Sequence, residues 1–102
     1  MRKVTFYKMM NTGAVSASGY QETFYIYPDG DEISLVFEKR GNQDWSITEE
    51  STGLLVRGYF PSRKAAKEAI TAEMLKMIVD RLPEFNHYKT MVNIARFKHE
   101  EV

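Results

Sequence analysis

The chain has 102 residues, 43% of them hydrophobic and 27% charged, with 14 basic residues balancing 14 acidic ones. That length supports one hydrophobic core, since domains run to about 100–150 residues, and that mixture excludes a disordered or fibrous protein. Cysteine is absent, which excludes disulfides and thiolate metal sites and points to a cytoplasmic protein that needs no oxidising compartment.

The N-terminus, Met1-Arg2-Lys3-Val4-Thr5-Phe6-Tyr7, moves from charge straight into a strand-like pattern, unlike a secretory signal. No run approaches the roughly 20 apolar residues that cross a bilayer, so neither secretion nor membrane insertion is expected. Charge is unevenly spread: residues 20–50 carry a net −6 and residues 51–98 a net +5. Such polarity orients a partner unless the two segments interleave in the fold.

In chain order, residues 3–9 suggest a first strand. Asn11-Thr12-Gly13-Ala14-Val15-Ser16-Ala17-Ser18-Gly19 has the composition of a flexible loop, longer than a usual hairpin connection and therefore also readable as a contact loop. Its glycines fit neither phosphate-cradling pattern. A second strand, Tyr20 to Tyr27, leads into Pro28-Asp29-Gly30-Asp31, where Asp-Gly tolerates the positive φ of a tight two-residue turn. Closing the turn there sets Ile26 opposite Ile33 and Phe24 opposite Leu35. Phe24, Ile26, Ile33, Leu35 and Phe37 then share a core face by the two-residue period of strands, and Thr23, Tyr25, Tyr27, Glu32, Ser34, Val36 and Glu38 take the other. Asp29 to Glu32 lacks the spacing of a calcium loop.

Gly41-Asn42-Gln43 and Thr52-Gly53 mark two further turns, pairing a strand around Trp45–Glu50 with one around Leu55–Phe60. In that register Trp45 opposes Phe60, Ile47 opposes Gly58 and Glu49 opposes Val56. Trp45, Ile47, Val56 and Phe60 extend the core face, while Ser46, Thr48, Glu50, Leu55, Arg57 and Tyr59 extend the other. After Phe60-Pro61, Ser62 is a good N-cap for a helix reaching about Leu82. Its apolar stripe is Ala66, Ala69, Ile70, Met74, Met77 and Ile78. Pro83 stops it. Tyr88, Met91, Val92 and Ala95 fit a second helix from near Asn86, although Thr90 to Phe97 also fits a strand.

The expected fold is thus α+β. An antiparallel sheet of four to five strands, a meander of hairpins, packs on one long helix in the C-terminal half, with a second short helix or strand at the C-terminus. The whole forms a single domain, residues 1–102.

Two surfaces stand out. The second face of the sheet carries Tyr25, Tyr27, Val36, Leu55 and Tyr59, apolar bulk where a half-exposed sheet is normally polar. Either the first strand or the C-terminal segment folds across and buries it, the alternative we favour because a small domain needs its apolar contacts, or it meets a protein partner or a second copy in a homodimer through amphipathic tyrosines. The other surface is the helix start. Arg63, Lys64 and Lys67 gather cations where the macrodipole disfavours them, next to Ser62 and free N–H groups able, with Arg57 nearby, to hold a phosphate of DNA or RNA. The solvated, solubilising face remains the commoner role for such charges. His87 and His99 have no Cys or carboxylate cluster at ligand spacing, so neither metal nor cofactor is expected.

From Trp45 onward the hairpin followed by Phe60-Pro61-Ser62-Arg63-Lys64-Ala65-Ala66 resembles, over about half of the chain and on an unspecific motif, the arm-type DNA-binding domain of tyrosine recombinases. That resemblance implies a sheet face entering the major groove. Glu32, Glu38 and Glu50 oppose it, because acids on that face repel the phosphates that supply most nucleic-acid affinity. The first expectation is therefore a small non-enzymatic protein-binding or regulatory accessory module, a role that small free-standing domains often fill, those of phages and mobile elements included. DNA or RNA binding at the helix beginning near Ser62 is second. A phosphate-handling enzyme is a distant third, for want of an acid, base and nucleophile set.

Overall fold

Aromatic and β-branched residues crowd the chain up to Phe60, and the computed structural model, which describes residues 1–26 and 30–101 and side chains through residue 98, forms five strands there. They are β1 (Arg2–Met10), β2 (Gly13–Ile26), β3 (Asp31–Gly41), β4 (Asp44–Glu49) and β5 (Leu54–Phe60). All pair antiparallel in the order β1-β2-β3-β4-β5, the meander expected from the turn signals. Three helices, α1 (Arg63–Glu68), α2 (Ala72–Arg81) and α3 (Asn86–Glu101), follow, with a 3₁₀ turn over Leu82–Phe85 between the last two. The fold is α+β, as the patterning indicates. No helix among the described residues is long and apolar enough to cross a membrane.

The core lies where the period of two places it. Ile33, Leu35, Phe37 and Ile47 are buried, joined by Ile26, Ala66 of α1 and Leu75 of α2, and Tyr20, Phe24, Trp45, Val56 and Phe60 pack around them. Each large apolar side chain taken fully out of water contributes about 1.5–3 kcal/mol.

Several local expectations are corrected. The β2–β3 hairpin pairs Ile26 with Asp31 and Phe24 with Ile33, two residues away from the register that a tight Asp29-Gly30 turn would set. Gly30, at φ +74°, donates its N–H to the Ile26 carbonyl at 2.9 Å, and β2 ends at Ile26 while β3 begins at Asp31; Tyr27, Pro28 and Asp29 themselves lie outside the described residues. A slip of two leaves every side chain on its face, which is why the core survives the error. Between β4 and β5 the Trp45–Phe60 pair holds, but two irregularities put Ile47 opposite Arg57 and Glu49 opposite Leu54. Tyr59 takes a left-handed φ of 67° within this distorted stretch.

The long helix expected from Ser62 to Leu82 is two helices. Ser62 caps α1, its Oγ accepting from the Ala65 N–H at 3.0 Å, and Thr71 caps α2 in the same way, accepting from the Met74 N–H at 3.1 Å. The break shifts the phase of the apolar stripe: Leu75 and Val79 turn to the core beside Met74 and Ile78, and Met77 is left 62% exposed. The ambiguous C-terminal segment is helical, with Val92 of α3 fully buried and the helix packed on β1 and β2.

The stretch from Gly13 to Gly19 is not a loop. It is the first half of β2, paired with β1 from Met10–Gly13 through Arg2–Gln21. Small residues there serve close packing. A Cβ on Gly19 would lie 2.5 Å from Val36 Cγ1, so only glycine admits Val36 and Phe6 alongside. The second half of β2 pairs with β3, and only Tyr20 and Gln21 have partners on both sides. The strand's length thus lets the β1–β2 hairpin fold across the second face of the sheet. Lys8 reaches Glu38 at 3.0 Å, Gln21 donates to Glu50, and the Met9 N–H donates to the Gly53 carbonyl at 2.8 Å, bringing the end of β1 onto the β4–β5 turn. Phe6 of the hairpin and Val36 beneath it are fully buried.

Candidate functional site

The residues of the second sheet face are divided by this folding. Val36 lies at 0% exposure under the hairpin, so the first strand does cover part of the face and Val36 has no surface to offer a partner. Tyr25, Leu55 and Tyr59 remain exposed, and Tyr27 lies outside the described residues. They do not form one patch. Tyr25 sits on β2 opposite Glu32, with β3 and β4 between it and β5, and Tyr59 adjoins the Trp45–Phe60 pair at the other end of the register. Leu55, Arg57 and Tyr59, alternating along β5, are the exposed residues that stay together.

At the helix start the cations have partners within the fold. Lys67 Nζ donates to Glu22 Oε1 at 2.8 Å, the Arg63 guanidinium lies 4.4 Å from the centroid of the Tyr20 ring, and Arg57 lies 5.7 Å from that of Phe60. Ser62 Oγ is engaged in capping. These contacts offset the unfavourable placement of charge that the sequence poses as a puzzle. Lys64 is exposed and makes no ion pair among the described residues. The helix itself has six residues, short for a strong macrodipole.

A feature that patterning alone does not announce is a cleft of about 770 Å³ between the start of β5 and the α2–3₁₀–α3 segment. Its walls include Leu54, Leu55 and Val56 on one side and Met74, Met77, Ile78, Leu82 and Phe85 on the other, with Arg57, Glu73 and Arg81 among the polar lining. Three sequence features build it. Thr71 breaks the helix and turns Met77 outward, Pro83 forces the tighter turn over Leu82–Phe85, and the meander ends at β5, whose outer edge has no strand partner among the described residues beyond the Gly53 contact with β1. The signals for it are Met77, an apolar residue of α2 beyond what its buried face needs, and Leu82 and Phe85, which continue the apolar pattern past the helix end.

The cleft's buried acid, Glu49, is 4% exposed and fully occupied. Its carboxylate accepts from the Ser51 and Thr52 backbone N–H groups and from both hydroxyls, at 2.7–2.9 Å, so its role is to shape the turn. Arg81 and Glu84 form a solvent-exposed pair at 3.5 Å. Among the described residues no three metal-ligating side chains gather. His87 is exposed and packs on Tyr88 with ring centroids 5.6 Å apart; the side chain of His99 lies outside the described residues. No family model matches the chain, and neither a curated protein nor a solved structure is significantly similar to it.

Proposed function

We propose that this domain is a non-enzymatic protein-binding module that receives an apolar segment of a partner in the cleft between β5 and α2. One observation carries the reading: an open apolar cleft large enough for several side chains adjoins β5, the last strand in the sheet order, which has no strand paired on its outer side among the described residues. Recognition clefts of this kind combine an apolar floor with a few polar groups that fix orientation, and Arg57, Glu73 and Arg81 are so placed. The exposed thioether of Met77 supplies the adaptable surface common in protein recognition. A cysteine-free chain suits a reducing compartment, and the reading places the module in the cytoplasm.

The nucleic-acid alternative draws on Lys64 and the exposed Arg57 and Arg63. It is the weaker reading because Lys67 is spent on Glu22 and the net charge is zero. The two separate in one experiment. Tagged protein is used to capture partners from a lysate with and without nuclease, alongside Met77→Asp and Lys64→Glu, both exposed substitutions expected to alter stability by about 0.5 kcal/mol or less. The expected result is a stoichiometric, nuclease-resistant protein retained by Lys64→Glu and lost with Met77→Asp. Nucleic acid bound by the parent, lost with Lys64→Glu and released steeply by salt, would overturn it.

A further inference from the structure

On the face crossed by the β1–β2 hairpin, a second and smaller pocket of about 170 Å³ opens between the end of β1 and strands β3, β4 and β5. Its chemistry differs from that of the cleft. Lys8, Glu38, Arg40, Ser46 and Thr48 line it, roofed by Met10 and Leu55. Lys8 Nζ binds both oxygens of Glu38, at 3.0 and 3.3 Å, so those two charges cancel. Arg40 has no ion pair among the described residues, leaving the pocket one net positive charge. Gly58 places the guanidinium beside Ser46: a Cβ built there would be in ordinary contact with both, 3.6 Å from Arg40 Nη1 and 3.9 Å from Ser46 Cβ. Ser46 is 1% exposed, and its Oγ is buried without a hydrogen-bond partner. An orphaned buried hydroxyl is destabilising, a loss that a ligand accepting its proton would recover, and such groups call for an explanation in a folded protein.

We propose that this pocket binds a small oxyanion, a carboxylate or phosphate group, with Arg40 as its charged partner and the Ser46 hydroxyl as a hydrogen-bond donor. The volume sets the class, since drug-sized and nucleotide ligands occupy clefts of roughly 300–1,000 Å³. The guanidinium fork suits both planar and tetrahedral oxyanions. Glu38 does not defeat the site, because its charge stays neutralised by Lys8 while the anion meets Arg40. The inference is independent of any partner in the β5–α2 cleft.

The test is a titration of the ¹⁵N-labelled protein with sodium phosphate, sulfate or acetate against sodium chloride at matched ionic strength. Amide shifts and the Arg40 Nε–Hε signal are followed. Saturable shifts centred on Arg40, Ser46 and Gly58 are expected with the oxyanions and not with chloride. Arg40→Gln should weaken binding about tenfold, the equivalent of one charge-assisted hydrogen bond, and Ser46→Ala should weaken it severalfold without lowering the thermal midpoint. Phosphate and acetate curves compared directly identify the preferred class. Shifts that are linear and equal for chloride, that map to the start of α1, or that persist unchanged in Arg40→Gln would overturn the site. The parent titration and Ser46→Ala decide the matter if Arg40→Gln proves poorly folded.

Discussion

Glu49 brings a carboxylate to an almost fully buried position without an ion pair among the described residues, and its stability there rests on four donor groups of Ser51 and Thr52. Burial of a charge is tolerable only when its hydrogen-bonding capacity is met, and the residues that meet it follow within three positions in the sequence. Replacing one oxygen by an amide group turns a donor toward donors. Glu49→Gln is therefore expected to lose about 2–4 kcal/mol, whereas Glu68→Gln, on the exposed side of α1, should fall within about 0.5 kcal/mol of the parent. Urea unfolding checks this through the midpoint at unchanged slope; equal effects from the two substitutions would show that the turn does not hold the carboxylate as described. Part of this was legible beforehand, since Glu49 shares the parity of Trp45 and Ile47, the core side of its strand. The glutamate's enclosure by its own turn was not, because the irregularities between β4 and β5 are set by packing rather than by local pattern.

At the scale of elements, the break between α1 and α2 carries a prediction whose sign distinguishes two structures. In one uninterrupted helix Thr71 would be an interior β-branched residue, and Thr71→Ala would stabilise by about 0.5 kcal/mol through propensity. As the N-cap of α2, with Oγ1 accepting from the Met74 N–H, the same substitution should instead cost about 1 kcal/mol. Thermal or urea unfolding reads the sign directly. Helical periodicity recovered Ala66, Ile70, Met74 and Ile78 of the buried stripe and failed at Met77, since a stripe carried through a break keeps its residues only to within part of a turn. The segment from Gly13 to Gly19 misled for the opposite reason. Its glycine, serine and alanine content is what loops share, yet here those small side chains allow a strand to pass close over Val36. That requirement comes from residues distant in sequence, and no local composition expresses it. The sheet order and core face were legible because turns and the period of two are local signals; the cleft was not, because it arises where the ends of separate elements meet.

Over the whole molecule, the charge blocks that look polarised along the chain interleave in space: Lys8 meets Glu38 and Lys67 meets Glu22, so basic segments at both ends of the chain neutralise the acidic middle. The same folding brings the sheet close to closure, since β1, the first strand, touches the turn that opens β5, the last. Gly53 makes the junction possible. It holds a left-handed φ of +70°, and a Cβ there would collide with the backbone carbonyl of Tyr7 and the amide of Met9. The consequence is measurable at one amide. Met9 belongs to a terminal strand of the sheet, where an outward N–H ordinarily exchanges through local fluctuation, but here it donates to Gly53 at 2.8 Å. Its hydrogen exchange should therefore be as slow as that of the central β3 amides, reporting global rather than local opening. Rapid exchange at Met9 with slow exchange in β3 would mean that the β1–β2 hairpin swings free of the sheet. Val36 would then be intermittently uncovered, and the small polar pocket beneath the end of β1 would have no fixed wall.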